Sequence, residues 1–223
     1  MIKSIIFDWD DVITLGSKEG YFACYHAALV GVELSPEEEE KRILAKWGKS
    51  HREELKELLK ENLHLLDKAC DIYEERLSGD TFVNCLSIVE GVSELLSRIS
   101  RKYMLSVATG MNPEILKEKI MPKFNIPQVF THIISAYDIK DPDMQKPHPY
   151  SINYILEKQG IRPENAIMVG DARGDVLMAR AAGVTPVVVL TGHLSRGEAE
   201  DLGVRYIISD ITKIEKVLYE IDG

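Results

Sequence analysis

Two aspartates near the beginning of the sequence have the type and spacing to do chemistry together. Asp8 and Asp10 directly follow the apolar run Ser4–Phe7, and an extended backbone places side chains two residues apart on the same side. Two carboxylates held this close repel each other unless a cation or a shared proton relieves the repulsion. The pair therefore indicates a cation site or acid–base chemistry, with the capping of a turn as the structural alternative.

A second pair of aspartates lies later in the chain, in the segment Gly170-Asp171-Ala172-Arg173-Gly174-Asp175. Asp171 follows an apolar run, and Asp175 lies near the start of a predicted helix over residues 176–182. If the loop between them is tight, both carboxylates face one point, which Gly170 and Gly174 allow the backbone to approach. Capping of that helix would account for Asp175 but would leave Asp171 unexplained.

A threonine, a glycine and a lysine could supply groups that bind an anion. Thr109 and Gly110 come just before Asn112-Pro113, which predicts a helix start. A hydroxyl beside the free backbone N–H groups of a helix start is suited to an anion. Lys146 lies in a proline-rich loop, where a stiff backbone suits a fixed cation. Taken singly, each signal is also compatible with an ordinary turn or a solvated lysine.

Short apolar runs that alternate with helical segments predict the element that positions these groups. The alternation is typical of an α/β fold, a doubly wound parallel sheet with helices on both faces. In such sheets ligands bind beyond the carboxyl ends of the strands. Each candidate group follows a predicted strand, so we expect the groups to meet at one edge of the sheet. The predicted strands are Ser4–Phe7, Met104–Ala108, Ile133–Ser135, Ala166–Val169, Pro186–Leu190 and Arg205–Ile208.

The stretch from Gly16 to Phe82 interrupts this alternation and predicts a separate, all-helical domain. Leucines at helical spacing in this stretch indicate amphipathic helices. Along the whole chain, a serine or threonine followed three residues later by glutamate predicts capping boxes at helix starts, at Ser50, Ser195 and Thr212. The predicted organisation is an α/β core of residues 1–15 and 83–223 with a small helical domain of residues 16–82. The leucines in question are Leu55, Leu58, Leu59, Leu63 and Leu66.

The composition argues against several classes of function. The chain carries 36 acidic and 27 basic residues, a formal net charge of −9, which argues against a nucleic-acid partner because such binding depends on Lys and Arg. No apolar run approaches the roughly 18 residues that a membrane span requires, so we expect a cytoplasmic protein with no membrane partner. The three cysteines form no CxxC pair and the six histidines show no ligand spacing, which argues against a zinc site.

Taken together and in this order, the motifs resemble those of the haloacid dehalogenase superfamily. The four motifs of that family are similar to Asp8-Trp9-Asp10, Thr109, Lys146 and Gly170-Asp171…Asp175, and the resemblance covers almost the whole chain. The helical insert is similar to the helical cap of that family, placed between its first and second motifs. The phosphoglycolate-phosphatase-like and β-phosphoglucomutase-like members are the closest in pattern.

The resemblance implies a role for each of these residues. Asp8 would be the nucleophile and Asp10 the general acid/base, and Mg²⁺ would be held by the Asp8 carboxylate, the Asp10 backbone carbonyl and Asp171. Asp175 would support the metal or Lys146. Many members have glycine after the second aspartate, where this sequence has Asp11. Aspartate tolerates unusual backbone angles better than most residues, so we expect the turn to be preserved.

The same resemblance assigns the phosphate-binding groups, whereas the candidates for specificity come from the sequence of the insert itself. Thr109, with Gly110, would bind the phosphoryl oxygens, and Lys146 would offset negative charge. In the helical insert, Lys49 and Arg52 belong to a glycine-containing, basic connection between two helices. This connection is either a loop that reaches over the anion and selects the substrate, or an ordinary helix connection with solvated charges.

Three functions fit these observations. The leading hypothesis is a Mg²⁺-dependent phosphatase that hydrolyses a small phosphorylated metabolite through an aspartyl-phosphate, as a monomer or homodimer. The first alternative is a sugar-phosphate mutase, although the insert lacks the full signature that we expect of one near residues 16–26. A non-catalytic phosphate-binding module is the second alternative, but a pure binder has no need of Asp10. Dehalogenation is disfavoured because carbon–halogen displacement does not need the acid/base that Asp10 supplies.

Overall fold

A parallel six-stranded sheet forms the centre of the molecule, which we describe from a computed structural model covering residues 1–35 and 50–223. The strands of this sheet are β1 Ser4–Phe7, β4 Met104–Thr109, β5 Phe130–Ser135, β6 Ala166–Gly170, β7 Thr185–Val189 and β8 Tyr206–Ile208. Within the described ranges the strand order is β5-β4-β1-β6-β7-β8, and β1 lies in the middle, with Ile5 opposite Leu105 on one side and Ile167 on the other. This arrangement confirms the predicted doubly wound α/β fold.

Alternate residues of β1 point to opposite faces of the sheet, as the period of a strand requires. Ile5 and Phe7 belong to the core beneath the helices of residues 92–99, 113–123 and 214–222, whereas Ile6 belongs to the core beneath the helices of residues 150–159 and 173–181. The side chains on both sides of such a strand are apolar because helices cover both faces of the sheet. The helices of the core are α5 Val92–Ile99, α6 (113–123), α7 Tyr150–Gln159, α8 Arg173–Ala181, α9 Arg196–Asp201 and α10 Ile214–Asp222.

Between β1 and β4 lies the helical insert, which joins the sheet through a short antiparallel ribbon. The strands β2 (Thr14–Leu15) and β3 (Ser87–Ile88) pair with each other, and so both connections to the insert leave the core side by side. The sequence pattern does not indicate this ribbon, since two-residue strands carry no period. The insert contains α1 Ser17–Gly31, α2 His51–Leu59, α3 Leu66–Ser78 and α4 Asp80–Cys85.

The leucine pattern of the insert is correct for α2 and for the first residue of α3 but fails between the two helices. Leu55, Leu58, Leu59 and Leu66 are buried, whereas Leu63 is 52% exposed. The reason is that α2 ends at Leu59 and the following Lys60 adopts a φ of 51°, so helical spacing no longer applies. The division into a core of residues 1–15 and 83–223 and a helical domain of 16–82 stays a prediction. No helix in the described ranges is long and apolar enough to span a bilayer.

Candidate active site

The predicted site residues meet at the carboxyl edge of the sheet because β1, β4 and β6 are parallel neighbours. The backbone N–H of Asp8 donates to the carbonyl of Val169 at 2.8 Å, which continues the β1–β6 ladder by one residue. Asp171 then follows directly after β6, and Thr109 is the last residue of β4. The structure therefore brings these groups together at one edge of the sheet.

A buried lysine joins two of the aspartates. The ammonium group of Lys146 lies 2.9 Å from Asp8 Oδ1 and 2.7 Å from Asp175 Oδ1, and all three side chains are almost completely buried. Burial lowers the pKa of Lys146, but the charges of Asp175 and Asp8 outweigh it and hold that pKa above its ordinary value. Lys146 is therefore a fixed positive charge. Asp175 also caps α8, since its Oδ2 accepts from the Ala172 N–H at 3.1 Å.

Asp8, Asp171 and Asp175 form a carboxylate cluster with features of a cation site. Each residue has an oxygen within 4.8 Å of the others. Asp171 is fully buried, and its Oδ1 has no hydrogen-bond partner among the described residues. Burial raises the pKa of Asp171 well above its ordinary value, and the charges of Asp175 and Asp8 raise it further. An unpartnered buried carboxylate oxygen in an all-oxygen donor set fits a hard divalent cation such as Mg²⁺.

Two glycines are required by the close packing of these aspartates. A Cβ added at Gly170 would lie 2.4 Å from the Asp175 carboxylate, and one added at Gly192 would lie 1.9 Å from Asp171 Oδ2. The same Oδ2 accepts from the backbone N–H of His193 at 2.9 Å. The loop after β7 therefore orients Asp171 and leaves Oδ1 without a partner among the described residues.

Asp10 is buried next to the first turn of α1. The hydroxyl of Tyr21 donates to Asp10 Oδ2 at 3.2 Å, while Oδ1 has no partner among the described residues. Burial and then the negative charge of Asp8 raise the pKa of Asp10 to about 7. A carboxyl group with this pKa can both release and accept a proton near neutral pH.

Asp11 occupies the turn, in agreement with the expectation from its residue type. Its φ is 54°, in the left-handed region that glycine favours and that aspartate tolerates. Its Oδ1 accepts from the Gly16 N–H at 3.2 Å, and the hydroxyl of Thr191 donates to its carbonyl oxygen at 2.5 Å. These bonds hold the turn between Asp10 and the insert.

Thr109 is almost completely buried at the end of β4. Its Oγ1 accepts from the backbone N–H of Met111 at 3.0 Å, so the hydroxyl hydrogen can be donated to an anion. Gly110 follows in the same turn, and Asn112 then caps α6 by accepting from the N–H groups of Glu114 and Ile115.

Comparison with known proteins decides the family. A sequence profile described as haloacid dehalogenase-like hydrolase matches residues 5–189. The chain belongs to this family. The resemblance drawn from the motifs is thereby confirmed, and the Asp8–Lys146–Asp175 arrangement lies within the matched part of the hydrolase.

Relatives and solved structures agree with this assignment. The hydrolase is 26% identical over 227 residues to a phosphoglycolate phosphatase of Shigella boydii, covering 90% of this chain and 86% of that protein. The phosphoglycolate phosphatase of Escherichia coli strain K12 is 25% identical over the same shares of both chains. These matches confirm the expectation of a phosphatase enzyme in this family.

The fold is shared with proteins of lower identity. A predicted phosphatase from Clostridium acetobutylicum superimposes with a TM-score of 0.79 at 22% identity, over 99% of both chains. A hydrolase from Pseudomonas syringae gives a TM-score of 0.79 at 24% identity, over 98% of this chain and 99% of that one. Such high coverage means that the helical insert and the sheet are both part of the shared fold.

Of the two specificity candidates in the insert, Arg52 lies within the described residues. Lys49 lies outside the described residues. The guanidinium of Arg52 lies 2.7 Å from Asp67 in α3, and its side chain is 48% exposed. Its described contacts are therefore made within the insert, and its role in selecting a substrate stays a prediction.

Proposed function

We propose that this hydrolase is a Mg²⁺-dependent phosphatase that hydrolyses a small phosphorylated metabolite through an aspartyl-phosphate on Asp8. The observation that carries the proposal is the buried cluster in which Lys146 bridges Asp8 and Asp175 while Asp171 Oδ1 has no partner among the described residues. Membership of a family whose curated relatives are phosphatases supports the same conclusion.

The first half of the reaction uses Asp8 as the nucleophile. A carboxylate oxygen of Asp8 attacks phosphorus, the bond between phosphorus and the ester oxygen breaks, and the leaving oxygen takes a proton from Asp10. Lys146 and the Thr109 hydroxyl supply positive charge and a donor for the phosphoryl oxygens, and they are in place before the substrate arrives. The product of this half is the acyl phosphate on Asp8.

The second half reverses the role of Asp10. Now ionised, Asp10 removes a proton from water, whose oxygen attacks phosphorus and breaks the bond to Asp8. Inorganic phosphate leaves and Asp10 is again protonated. One group can perform both steps because its pKa of about 7 lies near neutral pH.

The residues that would hold Mg²⁺ are Asp8, Asp171 and the backbone carbonyl of Asp10, with Asp175 supporting Lys146. When bound, the ion neutralises charge between the carboxylate and the phosphate dianion, which otherwise repel each other. Asp175 is already engaged by Lys146 and the Ala172 N–H, so we assign it the supporting role.

The nearest candidate for the substrate is a small carboxylated phosphate ester such as phosphoglycolate, because the curated relatives are named for it. We propose that the helical domain of residues 16–82 selects the leaving group, because the core residues assigned above would contact the phosphoryl group that every ester shares. The cytoplasmic location and the monomeric or homodimeric state remain part of the proposal.

The test is phosphate release from phosphoglycolate, a panel of sugar phosphates and p-nitrophenyl phosphate, each with Mg²⁺ and with a chelator. We expect Mg²⁺-dependent release from p-nitrophenyl phosphate and faster release from at least one metabolite. A sugar phosphate that is isomerised without phosphate release would identify a mutase. If the protein binds phosphate esters but neither hydrolyses nor isomerises any of them, it is the non-catalytic module.

Replacing Asp171 with asparagine is expected to weaken Mg²⁺ binding. At a Mg²⁺ concentration of about 100 times its dissociation constant, binding stabilises a protein by about 2.7 kcal/mol, or roughly 5–10 °C in Tm at this size. Asp171→Asn should lose most of this shift in thermal denaturation.

The Tm shift that Mg²⁺ causes in the wild type should also be larger at pH 8 than at pH 5, because the raised pKa values of Asp8 (about 6) and Asp171 let protons compete with the metal at pH 5.

The exposed Asp201 of α9 provides the matched control for that measurement. Asp201→Asn makes the same chemical change away from the cluster and should keep the wild-type response to Mg²⁺. Equal Mg²⁺ shifts in Asp171→Asn and Asp201→Asn would remove Asp171 from the metal site.

Replacing Arg52 or Lys49 with alanine is expected to change the preference among metabolites more than the activity on p-nitrophenyl phosphate. Without a charge-assisted hydrogen bond to its leaving group, a metabolite that depends on this bond should show a kcat/KM lower by about tenfold to a hundredfold. The generic ester offers no such bond. Parallel kinetics on both substrates check the prediction, and equal decreases on both would mean that this connection does not select the substrate.

A further inference from the structure

Two polar contacts join the start of α2 in the insert to the loops of the core that follow β5. The backbone N–H of Ser50 donates to Gln145 Oε1 at 3.1 Å. Next to it, Nδ1 of His51 lies 2.5 Å from the hydroxyl of Tyr137. Burial and then the charge of Arg52 lower the pKa of His51 to about 4, so at neutral pH its imidazole is uncharged.

Gln145 is held in one orientation by three hydrogen bonds. Its amide nitrogen donates to the carbonyls of Ala136 at 2.9 Å and Ile139 at 3.4 Å. With both donors engaged, Oε1 must face Ser50. The side chain is almost completely buried, so the N–H of Ser50 is the group that satisfies this acceptor.

The residue after Gln145 is the lysine that bridges Asp8 and Asp175. The backbone here is rigid as well, since the N–H of Gln145 donates to the carbonyl of Pro142 and its carbonyl accepts from His148. A displacement of the Gln145 side chain therefore moves a backbone that is one residue from the Lys146 ammonium group.

We infer that Gln145 is a positioning residue, through which docking of the insert fixes Lys146 against Asp8. Undocking the insert withdraws the Ser50 N–H from Gln145 Oε1 and so breaks one of the three hydrogen bonds that hold this side chain. The docked insert and the placed lysine consequently favour each other, as coupling between two sites is reciprocal. This inference rests on the proposed phosphatase function, because its effect is measured as phosphoryl transfer.

Ser50 offers a pair of variants that isolates the contact. Its φ is −67°, which proline adopts, so Ser50→Pro keeps the backbone angle. The proline ring Cδ takes the place of the donated hydrogen, which removes the hydrogen bond and pushes Gln145 Oε1 away. Ser50→Ala keeps the N–H, and the Ser50 side chain makes no capping hydrogen bond. We expect Ser50→Pro to lower kcat by at least about tenfold, because it removes one hydrogen bond and also displaces the Gln145 side chain. Ser50→Ala should stay within about twofold of wild type.

The substrate dependence separates this role from direct selection of the substrate. Lys146 acts on the phosphoryl group that every ester shares. The decrease of kcat in Ser50→Pro should therefore be the same for p-nitrophenyl phosphate and for the best metabolite, with KM nearly unchanged. A decrease confined to the metabolite would overturn the inference in favour of a substrate contact.

Gln145→Met tests the other partner, and Gln159→Met is its matched control. Gln159 also makes three side-chain hydrogen bonds, to Ser4, Ser106 and Thr131, but Ser4 begins β1 at the opposite edge of the sheet. Gln145→Met should lower kcat as Ser50→Pro does, and the double variant should be no slower than Gln145→Met alone. Gln159→Met should retain wild-type kcat.

The measurement that does not depend on activity is amide exchange at Ser50. In wild type this N–H should exchange slowly, and Gln145→Met should accelerate it while Gln159→Met does not. Three results would each overturn the inference. The first is unchanged exchange at Ser50 in Gln145→Met, the second is additive effects of Ser50→Pro and Gln145→Met on kcat, and the third is an equal kcat for Ser50→Pro and Ser50→Ala. A wild type that releases no phosphate would instead end the proposed function, and the exchange measurement would still decide whether Gln145 docks the insert.

Discussion

Asparagine in place of Asp8 is expected to lower phosphate release by at least about a thousandfold while the protein stays folded. The amide is a very poor nucleophile, and the change also removes a negative charge from the proposed metal site. The fold should survive because asparagine keeps an acceptor at Oδ1 for the Trp9 N–H, which Asp8 now binds at 2.8 Å. Steady-state kinetics and circular dichroism check both statements.

Asp11 gives the matched control for that variant. Asp11 lies three residues after Asp8 in the sequence and is also buried. Asparagine tolerates the φ of 54° that Asp11 adopts. Asp11→Asn keeps the acceptor for Gly16 and should leave kcat within about tenfold of wild type. Turnover by Asp8→Asn at a rate comparable to Asp11→Asn would end the covalent mechanism.

Methionine in place of Lys146 is expected to lower kcat by about a hundredfold to a thousandfold even at saturating Mg²⁺. Removal of one group that stabilises transition-state charge has an effect of this size. The change should also cost about 3–5 kcal/mol of folding free energy, because it removes the counter-ion that lies within 2.9 Å of both Asp8 and Asp175. Kinetics with a Mg²⁺ titration, together with denaturant unfolding, measure the two effects.

Lys158 of α7 is an exposed lysine and provides the control. Lys158→Met should leave both kcat and stability close to the wild-type values. If excess Mg²⁺ restores the kcat of Lys146→Met, the lysine acts only through metal affinity and not on the phosphoryl group.

The sheet and its functional edge can be predicted because their signals are local. Runs of β-branched and aliphatic residues identify every strand of the large sheet to within a few residues, and parallel packing then puts the ends of β1, β4 and β6 together. Asp8, Asp171 and Asp175 follow strands closely, so their proximity requires only that rule. The spacing of Asp171 and Asp175 is also informative, since a tight strand-to-helix turn brings the two carboxylates together.

Contacts between residues distant in sequence cannot be predicted in the same way. Tyr21 reaches Asp10, and the N–H of His193 orients Asp171, but nothing in their local sequence indicates either partner. Gln145 carries no signal of its own beside Lys146, because its importance depends on Ser50, 95 residues away in the sequence. Such contacts are set by how the insert docks on the sheet.

Helix caps show the same limit at short range. The serine–glutamate spacing predicts a capping box at Ser195, where both hydrogen bonds form. The same spacing is wrong at Ser50, whose side chain makes no capping bond, and at Thr212, where the carboxylate of Asp210 caps the turn instead. Spacing identifies candidates, but the rotamer that completes a cap depends on surrounding side chains.

The most direct test of the proposed mechanism is chemical trapping of the phosphorylated aspartate. An acyl phosphate is reduced by borohydride, which converts the aspartate that carries it to homoserine. The experiment uses the Asp10→Asn variant with p-nitrophenyl phosphate as substrate. The leaving group of this ester is good enough to depart without protonation by Asp10, whereas loss of Asp10 as the base slows hydrolysis of the intermediate. Mass spectrometry of the peptides should then find homoserine at position 8, only when both substrate and Mg²⁺ are present. A wild type that turns over the same ester, with no homoserine at position 8 in the trapped protein or with homoserine at another position, would contradict the mechanism proposed here.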